Sequence, residues 1–139
     1  MTRVLATGTF DLLHPGHLLY LTEARKLGDE LYVIVARESM IQHKPKPVIP
    51  EDQRVTMVDS LEMVDKAIPG SKIDIYEPIT DIKPDIIAIG HDQKFNTEEI
   101  EKKLRELGIN AKVVRINKSS NCPLCSSGKI IDKILDRYS

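Results

Sequence analysis

Short apolar runs alternate with helix-like patterns from one end of the chain to the other. Continuous apolar runs of a few residues are typical of strands that are covered on both faces of a parallel sheet. We expect strands at residues 4–6, 31–36, 64–68, 73–76, 86–90 and 112–116.

The segments between these runs carry the signals of helices. Leu18 and Leu21 recur at near-helical spacing, and Pro15 suits a first helical turn while Gly28 suits a stop. Thr97 is expected to cap a later helix. The predicted helices cover residues 15–27, 51–61, 98–107 and 127–138.

This alternation predicts an α/β fold, a Rossmann-like doubly wound parallel sheet with helices on both faces. No linker, repeat or change of composition divides the chain, so we expect a single domain over residues 1–139. Ligands of such folds bind at the carboxyl ends of the strands, where the winding direction switches. The unusual residues of this sequence follow the strands that end near residues 6, 36, 89 and 116.

Charge and composition exclude several classes of protein. Lys and Arg number 20 against 21 Asp and Glu, which argues against a nucleic-acid coat protein or a polybasic membrane binder. The apolar runs are far shorter than the ~18 residues that span a bilayer, and we identify no signal peptide. Two Cys cannot build a disulfide framework. We therefore expect a cytoplasmic protein that binds neither nucleic acid nor membrane.

The strongest functional signal is the segment 8–17, which reads GTFDLLHPGH. It follows a predicted strand and opens a predicted helix, whose N-terminus attracts anions. His14 and His17 are three residues apart, so both imidazoles can share one face and donate to phosphate oxygens. Gly16 lets the backbone approach a ligand closely. A pair of surface histidines or a metal-binding pair is the alternative interpretation of these residues.

Segment 8–17 resembles the signature of the HxGH nucleotidyltransferase superfamily, in its cytidylyltransferase-like branch. That branch includes glycerol-3-phosphate cytidylyltransferases and archaeal FAD synthases, and the resemblance covers essentially the whole chain. Further positions match motifs of the branch: phosphate-binding lysines, an arginine at a helix start, a Gly-x-Asp after the fourth strand and serines before the last helix. These positions are Lys44, Lys46, Arg54, Gly90, Asp92, Ser126 and Ser127.

The resemblance implies transfer of AMP from ATP to the phosphate of FMN, giving FAD and pyrophosphate. It assigns catalysis to His14, His17 and Lys44. It assigns nucleotide binding to Thr9, Phe10, His14, Pro15, Gly16, His17, Lys46, Gly90, Asp92, Ser126 and Ser127, and acceptor binding to Asp11, Lys44 and Arg54. It also implies a homodimer and Mg²⁺ or another divalent cation bound with ATP, and no protein side chain is assigned as a metal ligand.

Alternatives stay open at this stage. A cytidylyltransferase acting on glycerol 3-phosphate or a similar phosphorylated alcohol fits the same motifs, and so does a nucleotide-binding protein without turnover. Locally, Asp11 could cap a turn, and Arg54 could pair with Glu51 instead of a phosphate. Capping of the last helix by Ser126 or Ser127 is compatible with phosphate binding.

Cys122 and Cys125 lie in a segment between Arg115 and Ser126 that is longer than in the cytidylyltransferases. A Cys-bearing segment here is similar to that of archaeal FAD synthases, and it favours them over the alternatives. The pair could be structural, could be redox-sensitive because a helix start lowers a thiol pKa, or could share a metal across two chains. If it is redox-sensitive, oxidation is expected to distort the adjoining phosphate loop and lower activity.

Overall fold

The computed structural model describes residues 1–40, 46–71, 74–91, 93 and 96–139. Within this part of the chain, strands and helices alternate as an α/β fold, which confirms the predicted class. The strands are β1 (Arg3–Gly8), β2 (Glu30–Val35), β3 (Lys66–Pro69), β4 (Ile86–Gly90) and β5 (Lys112–Ile116). The helices are α1 (Pro15–Arg25), α2 (Glu51–Asp59), α3 (Glu77–Ile82), α4 (Thr97–Glu106) and α5 (Ser127–Tyr138), with a short 3-10 turn at Glu38–Met40.

The five strands form one parallel sheet in the order β3-β2-β1-β4-β5. The chain winds outward through β2 and β3 on one side and through β4 and β5 on the other. The winding direction therefore switches between β1 and β4, where ligands of doubly wound sheets bind. That residues 1–139 form one domain stays a prediction.

Two aliphatic clusters cover the two faces of the sheet. Successive side chains of β1 point to opposite faces, as in any strand. Val4 and Ala6 are buried in one cluster with Leu21 of α1, and Leu5 is buried in the other with Leu104 of α4. This packing fixes β1, the central strand, from both faces, and the β1–α1 turn follows at its carboxyl end.

Two local predictions were wrong. Asp74–Tyr76, predicted as the end of a strand, instead leads through a turn into α3, while Ile73 lies outside the described residues. A helix of only six residues is too short to show a helical apolar period. The cap of α4 is Asn96, whose side chain accepts from the amides of Glu98 and Glu99; Thr97 is the first helical residue.

None of the described helices combines the length and the apolar character needed to cross a membrane.

Candidate functional site

A cavity of about 600 Å³ opens at the carboxyl ends of β1, β4 and β5. Its walls come from the β1–α1 turn, the start of α1, Lys46 and Pro47, the residues after β4, the β5–α5 loop and the start of α5. Two helix N-termini thus face one space at the switch point, an arrangement suited to an anionic ligand.

Side chains fill the gap where β1 and β4 separate. The pairing of these strands ends at Ala6 and Ala88. Beyond it, the hydroxyl of Tyr20 donates to the carbonyl of Ala88 (2.7 Å), and the Nε2 of Gln93 donates to the carbonyl of Thr7 (3.2 Å). These contacts satisfy backbone carbonyls that the two strands no longer pair with each other.

His14 and His17 cap helix α1 with their rings. His14 is the N-cap residue, and its Nδ1 accepts from the amide of Gly16 (3.0 Å). The Nδ1 of His17 accepts from the amide of His14 (3.3 Å), which completes a capping box built from imidazoles. The two rings stack with centroids 3.8 Å apart.

This capping box decides where each neutral ring carries its proton. A nitrogen that accepts a hydrogen bond cannot also hold a proton, so the proton of each neutral imidazole is on Nε2. His14 and His17 both border the cavity. Neutral rings in this tautomer act as hydrogen-bond donors through Nε2, as phosphate oxygens require.

Gly16 is required by close packing around the His14 ring. A Cβ at this position would lie 2.8 Å from Cε1 of His14 and 3.3 Å from the carbonyl oxygen of Cys125. The glycine therefore brings the capping ring, the start of α1 and the end of the β5–α5 loop together.

Phe10 occupies the left-handed region with φ of 53°, which is uncommon for a bulky residue. Its ring is buried and lies 5.3 Å from the ring of His17, centroid to centroid. A Cβ on Gly8 would meet the Phe10 ring at 2.7 Å, so the preceding glycine makes room for it. The strained backbone fits the tight β1–α1 turn that positions the imidazoles.

Asp11 binds the backbone of residues 46–49, which we call the Lys46 segment. Its Oδ1 accepts from the amide of Ile49 (2.8 Å) and its Oδ2 from the amide of Val48 (2.9 Å). The alternative that Asp11 caps its own turn is not what the structure shows. Lys46 is exposed and lies at the cavity rim, two residues before this contact.

The start of α5 faces the same cavity. Ser126 is the N-cap, and its hydroxyl accepts from the amide of Lys129 (3.1 Å), so the predicted capping by Ser126 is confirmed. The hydroxyl of Ser127 donates to the carbonyl of Leu12 (3.4 Å), which ties α5 to the β1–α1 turn. Both serines line the cavity.

Arg54 is buried, with 1% of its surface exposed. Its Nε donates to the carbonyl of Ile49, and its Nη1 donates to the carbonyls of Thr9 and Ala36, each at 2.8 Å. Direct contact of Arg54 with an acceptor molecule, as the resemblance implied, does not fit this burial. We correct that assignment to a role inside the fold.

The alternative partner of Arg54 is also corrected. Glu51 pairs with Arg37 (3.2 Å), not with Arg54. Burial lowers the pKa of Arg54, and nearby carboxylates, first that of Asp11, act in the opposite direction. The guanidinium charge is thus offset by carbonyl dipoles and by carboxylates that it does not touch.

The remaining predicted residues divide into three groups. Thr9 and Gly90 line the cavity. Pro15 is exposed at the first helical position, and its assignment to nucleotide binding stays a prediction. Lys44 and Asp92 lie outside the described residues.

Several cavity residues were missed by sequence reasoning. Tyr20 follows His17 by three positions on α1, so its helical spacing could have revealed it. Lys118 lines the cavity beside Ser119 and Ser120, in the β5–α5 loop that also carries the two cysteines. Lys118 donates to Glu23 of α1 (3.2 Å), and this bond is the first cause of the lowered pKa of Glu23.

Cys122 and Cys125 form a disulfide, with Cα atoms 5.3 Å apart. The bond closes the turn directly before the Ser126 cap, and Cys125 itself borders the cavity. Both the structural and the redox interpretations of the pair fit this position.

Comparison with known proteins agrees with this architecture. The family profile described as cytidylyltransferase-like matches residues 5–133. A relative named FAD synthase from Methanohalobium evestigatum is 78% identical over 99% of this chain and 92% of its own length. Another with that name, from Archaeoglobus fulgidus, is 54% identical over 96% of this chain and 98% of its own length.

A solved structure described as the lipopolysaccharide core biosynthesis protein of Thermoplasma volcanium GSS1 superposes with a TM-score of 0.83. It is 46% identical, and the match covers 86% of this chain and 99% of that one. The fold and the cavity define a doubly wound α/β protein with a cavity at the switch point of its sheet. The chain belongs to the cytidylyltransferase-like family, within the branch that holds these archaeal FAD synthases.

Proposed function

We propose that this protein transfers the AMP moiety of ATP to the phosphate of FMN, giving FAD and pyrophosphate. The observation that carries the proposal is the imidazole capping box of His14 and His17 in the switch-point cavity. The choice of ATP and FMN is supported by relatives named FAD synthase that are 54–78% identical over nearly the full chain.

In the proposed reaction, a phosphate oxygen of FMN attacks the α-phosphorus of ATP. A new oxygen–phosphorus bond forms as the bond from the α-phosphorus to the bridging oxygen breaks, and pyrophosphate leaves with that electron pair. Such a transfer needs alignment and neutralisation of charge more than covalent help. The cavity supplies imidazole donors and two helix starts for both tasks.

We assign the phosphate contacts to the residues that border the cavity. The Nε2–H groups of His14 and His17 are assigned to oxygens of the α-phosphoryl group. The start of α5, with Ser126 and Ser127, is assigned to the departing pyrophosphate, because helix N-termini favour phosphate. Lys46 is also assigned to the phosphate oxygens, which its mobile ammonium group can reach.

Two further assignments rest on the family resemblance alone. Lys44 is proposed as a catalytic and acceptor-binding cation, and Asp92 as a nucleotide contact near Gly90. Thr9, Phe10, Gly16 and Gly90 are proposed to shape the nucleotide site through their backbone.

We propose that Mg²⁺ or a similar cation enters with ATP and is held by phosphate and water oxygens. Among the described residues, no group of three or more His, Cys, Asp or Glu side chains could hold a metal ion. Both oxygens of Asp11, a carboxylate of the cavity wall, already accept backbone amides. A hard cation that keeps several water ligands fits a site of this kind.

A homodimer and a cytoplasmic location complete the proposal. The dimer is supported by an apolar face on α5, where Ile134, Leu135 and Tyr138 are 48%, 58% and 78% exposed. Burial of such a face against a second copy would be favourable. Sedimentation of the reduced protein at micromolar concentration tests the dimer, and a purely monomeric species would contradict it.

The enzyme assay measures pyrophosphate release under reducing conditions with Mg²⁺, from ATP or CTP, with FMN or glycerol 3-phosphate. Release with ATP and FMN, with FAD identified by chromatography, is expected. Release only with CTP and glycerol 3-phosphate would replace the proposal with a cytidylyltransferase. Nucleotide binding without release in any mixture would favour a protein without turnover.

A further inference from the structure

The Lys46 segment, residues 46–49, is held at its C-terminal end by two charged side chains. Asp11 accepts the amides of Val48 and Ile49 through separate carboxylate oxygens. Arg54 donates to the carbonyl of the same Ile49. Both backbone polar groups of Ile49 are therefore bound, the amide by Asp11 and the carbonyl by Arg54.

Arg54 also joins the ends of two neighbouring strands. Its Nη1 binds the carbonyl of Thr9 after β1 and the carbonyl of Ala36 after β2. Three separate stretches of backbone therefore meet at one buried guanidinium. Because the planar fork of an arginine fixes the directions of its donors, these stretches cannot shift independently.

The contact network leads to the cavity on both sides. Thr9 precedes Phe10, whose ring packs on His17. On the other side, Ile49 and Val48 follow Lys46, which stands exposed at the cavity rim. A lysine has a long flexible stem, so only a fixed backbone can place its ammonium reproducibly.

We propose that Asp11 and Arg54 are positioning residues that latch the Lys46-bearing segment to the β1–α1 turn. They act through backbone amides and carbonyls and do not bind the acceptor. The inference rests on the adenylyl transfer proposed above, in which Lys46 contacts phosphate.

The kinetic test is a double-mutant cycle of Asp11→Asn with Lys46→Ala, measured as kcat/KM for FAD formation. Asp11→Asn turns one acceptor oxygen into a donor that faces a backbone amide. Lys46→Ala is expected to lower kcat/KM about tenfold in the parent, and by less than about twofold in the Asp11→Asn background. Losses that multiply would show that Asp11 acts independently of Lys46 and would overturn the latch.

Val48→Pro removes the amide hydrogen that Val48 donates to Oδ2 of Asp11, and it leaves the Asp11 carboxylate intact. It is expected to lower kcat/KM in the same sense as Asp11→Asn, with little further loss in the double variant. If Asp11→Asn lowers kcat/KM while Val48→Pro leaves it unchanged, Asp11 would instead contact substrate directly, and the latch would be overturned. Asp29→Asn is the matched control. Asp29 also accepts a backbone amide, that of Thr2, but it does so at the amino ends of the strands, away from the cavity.

Amide hydrogen exchange tests the latch without substrates or turnover. Exchange at Val48 and Ile49 is expected to accelerate about tenfold or more in Asp11→Asn, while exchange at Leu5 in β1 stays unchanged. Unchanged protection at Val48 and Ile49 would overturn the latch. If the parent makes no FAD, the proposed function fails, and this measurement still decides whether the latch exists.

Discussion

Helices α1 and α5 both begin at the cavity, but they are attached to the fold in different ways. In α1, Leu21 and Ala24 are fully buried, and two side chains cap the start. In α5 no residue is buried, and the contacts described lie at its first turn, through Ser126 and Ser127. Helix α1 is thus packed into the core, whereas α5 is attached at its start and leaves most of its body exposed.

This contrast teaches that a helix N-terminus alone does not define a catalytic element. The α1 start has aromatic rings as caps, and each ring gains a fixed tautomer from the backbone amide that it accepts. The α5 start has a serine cap, which satisfies an amide and adds no titratable group. The predictions that follow probe these differences.

Removing either imidazole is expected to have the largest effect. His14→Ala and His17→Ala should each lower kcat by about 100-fold or more, because a preorganised donor to the developing charge is lost. Steady-state FAD formation measures this.

His14→Asn separates the cap from the chemistry. Asparagine is a good N-cap, so thermal stability should stay near that of the parent while activity is lost. A His14→Asn variant as active as the parent would contradict a catalytic role of the ring.

Filling the space at Gly16 is expected to have the next largest effect. Gly16→Ala would place a Cβ 2.8 Å from the His14 ring and 3.3 Å from the Cys125 carbonyl, so kcat should fall about tenfold as the ring is displaced. Gly128→Ala is the matched control at the other helix start, since its nearest contact would be the Ser126 hydroxyl at 4.0 Å. Equal effects of both substitutions would remove the distinction between the two starts.

The state of the Cys122–Cys125 disulfide is expected to have a smaller effect. Oxidation constrains the turn before Ser126, so the oxidised protein should be severalfold less active than the reduced one. Activity is measured under mild oxidant and again after reductant, with the disulfide confirmed by mass. A variant carrying both Cys122→Ser and Cys125→Ser should not respond, and full activity of the confirmed disulfide form would rule the effect out.

A charge on the exposed face of α5 is expected to change assembly and little else. Ile134→Asp should shift the sedimenting species from dimer to monomer, while the unfolding free energy of the protomer changes by less than about 0.5 kcal/mol. Asp132→Asn, an exposed polar position of the same helix, is the control and should stay dimeric. A dimer that survives Ile134→Asp would place the interface elsewhere.

The sequence predicted the elements whose signals are local. The apolar runs of β1, β2, β4 and β5 and the start of α1 at Pro15 came from short-range pattern. Helix α3 was not predicted because six residues do not establish a helical period. The Asn96 cap was not predicted because Thr97, next to it, is also a residue type that caps helices.

For the candidate site, the sequence by itself determined the β1–α1 motif and the presence of two helix starts, because chain neighbours fix that geometry. Only the tertiary structure decided which partners the other site residues contact, because those partners are distant in the sequence. It turned Arg54 from a phosphate ligand into a buried link between three backbone stretches, and it directed Asp11 to amides 37 and 38 residues away. A charged residue is drawn to whichever partners the fold brings within hydrogen-bond distance, and residue type alone does not say which those are.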